Sequence, residues 1–171
     1  MKRENRRVQA FVAAVALVVV AATAYVLTGR DEQRTPAARQ AEIAARGRAV
    51  MPFDLERTTH RFAGSATGGV QTVTSEDPAD TEQVTLIREH LAAEAARFGK
   101  GDYGDPASIH GAGMPGLREL EEGHDRIAVR YAELPAGAQI TYTTSDTSLV
   151  TALHAWFDAQ VADHGRHAEH G

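Results

Sequence analysis

The sequence predicts an α+β fold: an antiparallel sheet of two hairpins packed against two helices, preceded by a transmembrane helix. Three observations carry this expectation. Two pairs of short stretches have the composition or alternation of strands; two longer stretches repeat apolar residues every three and four positions; and an almost uncharged run of 21 residues occupies Val8 to Thr28. The order of strands, helix, strands, helix favours two helices on one face of the sheet.

The uncharged run, VQAFVAAVALVVVAATAYVLT, would span about 31 Å as a helix, enough to cross a bilayer. Lys2, Arg3, Arg6 and Arg7 precede it, so residues 1–7 are expected to stay in the cytoplasm and everything after Thr28 to lie outside. A cleaved signal peptide is the rival reading, because Ala22–Thr23–Ala24 is a usable cleavage site. Both place the domain on the extracytoplasmic side, anchored in the cell membrane or released. Residues 29–49, rich in Ala and Arg, read as an exposed stalk, with Pro36 in the first turn of a short helix.

The domain is expected over residues 50–165. TTHRFAGSATGGVQTVT has β-branched runs around a Gly/Ser/Ala centre, which reads as strand, loop and returning strand. SEDPAD then supplies a cap for a helix over Thr81 to Phe98, where Val84, Ile87, Leu91, Ala95 and Phe98 share one face. GKGDYGDPASIHGAGMPG reads as a long loop, and Pro115 opens a short helix that stops at Gly123. Ile127, Val129 and Tyr131, then Ile140 and Tyr142, alternate as a hairpin around ELPAGAQ. A last helix starts near Ser145 or Asp146, buries Leu149, Leu153, Trp156 and Phe157, and ends at Gly165. Residues 166–171 read as a disordered tail containing histidine.

Charge divides the chain. Residues 50–171 carry nine Lys and Arg against nineteen Asp and Glu, together with all eight histidines. Such a surface repels phosphate backbones, which argues against nucleic acid, and suits cations. There is no cysteine, so thiolate sites and disulfides are excluded. No HExxH, GxSxG, P-loop, CxxCH or EF-hand pattern is present, and enzymatic activity is not expected from sequence motifs.

What remains is imidazole and thioether. His90 with Glu94, and His154 with Asp158, stand four apart at the edges of helical apolar faces. That spacing suits a metal ligand and its partner, or a plain hydrogen-bonded pair. His164 falls on the apolar face of the last helix just before its terminating glycine, where it caps carbonyls or ligates. His110 and Met114 lie among Gly111, Gly113 and Gly116, a composition that favours a shaped turn. Imidazole with thioether suits copper.

The segments MPFDLERTTHRF, GGVQTV, IHGAGMPGL, GAQITYTT and LHAWFDAQVADHG resemble a family of small exported bacterial proteins, over about Met51 to Gly165. Its members often carry the label aspartate carbamoyltransferase. The resemblance implies motif positions at His60, His90, His110, Met114, His154 and His164. The activity does not carry over with them: FDLERTT has Glu56 where a carbamoyl-phosphate loop needs a serine hydroxyl, and an acid there repels phosphate. Three readings follow: an extracytoplasmic metal-binding domain, with copper the leading ion; a structural or interaction module of the cell envelope with no metal; and a carbamoyltransferase-like enzyme.

Overall fold

The computed structural model describes residues 35–171. The expected anchor at Val8–Thr28, its basic flank and the start of the stalk lie outside the described residues. Among the described residues, no helix is long and apolar enough to cross a membrane.

Helix α1 (Pro36–Val50) is mostly polar, yet Ile43 and Gly47 are buried, and a Cβ at Gly47 would stand 2.9 Å from the Leu55 side chain. Arg39–Gly171 forms one compact unit. The domain therefore begins at Arg39, and the expected boundary at residue 50 is corrected: one isoleucine and one glycine on a polar helix suffice to dock it.

Strands β1 (Thr58–Ser65) and β2 (Gly68–Ser75) pair antiparallel, as do β3 (Ala128–Leu134) and β4 (Gly137–Thr143). β2 joins β4, and residues 168–170 add a fifth strand, β5 (Ala168–His170), parallel to β1. The order is β3-β4-β2-β1-β5. The sheet is thus mixed and five-stranded, and the tail expected to be disordered is its edge. It runs Gly165–His167 as a 3-10 turn and then pairs beside β1, a placement its polar sequence AEH does not announce.

Helix α2 spans Thr81–Phe98, the expected bounds, with Asp80 accepting from the Gln83 backbone as N-cap. Helix α5 spans Thr147–His164, capped by Asp146 and stopped by Gly165. Both bury their apolar faces in one core with Phe62, Val73, Ile140 and Tyr142 of the sheet. The stretch expected as a single long loop contains a further helix, α3 (Gly104–His110), before the short α4 (Leu117–Glu122). Its Gly and Pro residues sit in the first turn, where proline costs no hydrogen bond.

Aromatic packing anchors the centre. Phe98 and Tyr103 stack with ring centres 4.5 Å apart, and the Trp156 ring meets Phe98, Tyr103 and Tyr142 edge-on.

Candidate functional site

Three histidines from three elements converge beside this core. The strand period puts His60 on the core face of β1, opposite Val73 of β2 and two residues from Phe62. His110 is the last residue of α3, where Gly111 turns the chain at φ 95°. His164 is the last residue of α5, where Gly165 takes φ 57°. The ring centres of His60 and His164 lie 5.0 Å apart, and so do those of His164 and His110. His164 is the middle of a row of three imidazoles.

The surroundings of His60 and His164 disfavour the charged form of both rings. Burial pushes His60 down to about 4, helped by the neighbouring His90, His110 and His167. Burial likewise holds His164 well below its ordinary value, with His60 and His110 adding to the effect and Asp163 opposing it. A neutral imidazole has one nitrogen lone pair free to bind. The Nε2 of His60 is buried and has no hydrogen-bond partner.

His110 donates from Nδ1 to Asp163 Oδ2 at 2.9 Å, which leaves the lone pair on its Nε2. Arg39 Nη2 donates to the same oxygen at 2.7 Å. Burial alone would raise the Asp163 carboxyl, but the bonds from His110 and Arg39 outweigh it and hold it below the usual range. A carboxylate that fixes one imidazole and is itself fixed by a guanidinium is the arrangement that orients metal-ligating histidines.

A cavity of about 30 Å³ adjoins the row and is bounded also by His90, Glu94, Trp156, Met51 and Phe53. That volume takes an ion or a water or two, and is too small for an organic cofactor. A second small cavity on the α1 side shares His60 and His164 as its wall, with Glu56, Asp163 and His167 around it. The cluster is thus approached from two sides.

His90 stays apart from the row. The Phe53 ring touches both it and His60, with centres 5.6 Å and 6.2 Å away. Glu94, expected to pair with His90, instead accepts from Arg97, whose guanidinium also holds Asp105. Burial pushes the Glu94 carboxyl up to about 7, with Arg97 opposing and Asp105 adding to the rise.

Two expected ligands lie elsewhere. Met114 is buried in the apolar core and does not border the cavity, so the His110–Met114 ligand pair is corrected: its thioether fills core space. His154 donates from Nε2 to the Gly68 carbonyl at 2.9 Å and packs against Gly64, beside Asp158 and His170. It braces the β1–β2 turn. Asp163, Arg39 and Met51 border the site without having been expected there. Only the adjacency of Asp163 to His164 was a usable signal. Among the described residues, no group of three or more His, Asp or Glu is already arranged to hold a metal ion. No family model, no curated protein and no solved structure matches the chain.

Proposed function

We propose that this domain binds one transition-metal ion between His60, His164 and His110, and that Val8–Thr28 tethers it to the outer face of a membrane. The spacing of the imidazoles carries the reading. Two imidazoles on one tetrahedral ion, with metal–nitrogen distances of about 2.0–2.1 Å, have ring centres about 5 Å apart. Both adjacent pairs in the row stand at 5.0 Å. His110 and His60 each meet His164, and a common centre for all three requires the His60 ring to turn about its terminal torsion, which is broad.

The neutral state of His60 and His164, the unpartnered Nε2 of His60 and the Asp163–Arg39 support behind His110 all favour a ligand over a plain hydrogen-bonded cluster. With Met114 in the core, the donor set is three imidazoles, which suits zinc as well as copper. The family resemblance to small exported proteins agrees with an extracytoplasmic placement.

The absence of a ready-made group of three ligands among the described residues favours a second reading, an envelope module in which the imidazoles only pack. Calorimetric titration of the full-length chain in detergent with zinc and with copper separates the two. Stoichiometric uptake that His60→Ala and His164→Ala abolish, and His154→Ala leaves intact, is expected from the first. Uptake insensitive to His60 and His164 would end it.

A further inference from the structure

Two residues bordering the cavity beside the imidazole row have no part in metal binding. Trp156 is wholly buried, and its indole Nε1–H has no hydrogen-bond partner among the protein's own groups. Buried donors in folded proteins are paired almost without exception, so an indole N–H left over beside a cavity marks the place of an acceptor. Met51 borders the same cavity, only partly buried and packed against the edge of the core. Its thioether is a weak acceptor as it stands, and oxidation to the sulfoxide turns it into a strong one.

The chain has no cysteine and three methionines, so methionine is the sulfur that a peroxide meets. Met1 lies outside the described residues, and Met114, at 6% exposure, is enclosed in the core away from the cavity. A sulfoxide formed in a packed core disrupts it, because the new oxygen finds neither room nor a donor. At Met51 both are present. The cavity of about 30 Å³ takes one or two oxygens, and the indole N–H supplies the donor.

We propose that Met51 is a site of oxidation by hydrogen peroxide, and that the oxygen of its sulfoxide enters the cavity and accepts from Trp156 Nε1–H. No metal ion takes part. A sulfur lone pair attacks one peroxide oxygen and the O–O bond breaks; the departing hydroxide takes the proton from the transferred oxygen and leaves as water. Sulfur is oxidised by two electrons and the peroxide is reduced by two. The place of the modification gives it a structural consequence. Met51 directly follows α1, and its amide donates at 2.8 Å to the carbonyl of Gly47, the residue at which the helix meets Leu55.

Hydrogen peroxide added to the full-length chain in detergent, with a chelator present, tests the assignment. Peptide mass mapping should show one added oxygen at Met51 before any at Met114. Trp156 is the only tryptophan in the chain, so its indole N–H resonance should move downfield in step with that mass gain. Met51→Leu, which keeps an apolar side chain of similar size, should lose the shift under the same treatment. Oxidation of Met114 as fast as Met51, or a Met51 sulfoxide that leaves the indole resonance in place, overturns the proposal. So does a Met51 that peroxide spares in the folded chain and oxidises only after unfolding in urea. Metal uptake by calorimetry is a separate readout, and none of these outcomes bears on it.

Discussion

Helix α5 carries two histidines with very different surroundings. His164, at its end, meets two other imidazoles in a buried row, while His154, ten residues earlier, faces the β1–β2 turn and donates to a backbone carbonyl. Each has a carboxylate of its own helix nearby. The difference lies in burial and support: Asp163 is buried and fixed by His110 and Arg39, whereas Asp158 is exposed and reaches His170 only at 3.9 Å. A histidine–carboxylate pair gains chemical potential from what surrounds it, and i, i+4 spacing says nothing of that.

The contrast breaks most visibly through metal binding. His164→Ala should abolish zinc or copper uptake and His154→Ala should leave it unchanged, both read by calorimetry.

Acid gives the next largest effect. His60 and His164 titrate below their ordinary value in the fold, so below about pH 6.5 the unfolded chain binds protons that the folded chain refuses. The contribution of these two histidines to the stability of the metal-free protein should be full above that value and fall as pH drops toward about 4. The loss is up to about 3 kcal/mol for His60 alone, followed by urea denaturation at fixed pH values. Glu94 acts in the opposite direction: its raised carboxyl makes the fold lose stability as pH rises through about 7. His60→Phe should flatten the acid limb only.

The glycines after His110 sharpen the comparison at the level of backbone. Gly116 has φ 75°, and a Cβ there would stand 2.0 Å from the Ala152 carbonyl of α5; Gly113 would meet nothing within 4 Å. Gly116→Ala should cost about 2 kcal/mol or more, and Gly113→Ala should fall within about 0.5 kcal/mol of zero, measured by thermal denaturation.

Asp163→Asn should weaken metal affinity by about 10- to 100-fold while the three imidazoles remain. The smallest effect belongs to the brace. His154→Ala, which removes one part-buried hydrogen bond, should cost about 1 kcal/mol.

These contrasts also mark where the sequence was legible. Helix α2, with an apolar repeat and an Asp cap, reads to its exact bounds, and α5 reads to its stop at Gly165, because local periodicity and caps are written in neighbouring residues. Helix α3 was hidden by Gly104 and Pro106, which signal a loop but suit a first turn. The docking of α1 rests on Ile43 and Gly47, too few residues to form a pattern. Strand β5 has a polar sequence, and its partner lies about a hundred positions away.

The site follows the same rule. His60, His110 and His164 were legible as candidates because imidazole is rare and conspicuous. Their convergence was not, since it depends on where β1, α3 and α5 end in space. Arg39 and Asp163 meet across 124 positions, and neither carries a local sign of the other.

The parallel pairing of β5 with β1 has a consequence for biosynthesis. His60, Arg61 and Phe62 acquire their outer neighbours only from Ala168, Glu169 and His170. As the chain is made, β1 and β2 are complete at Ser75, yet the β1 edge stays bare and His60 lacks His164 until roughly ninety further residues have emerged. A chaperone or a like strand has that interval in which to bind the edge, and a polypeptide stalled before Ala168 would present it unprotected.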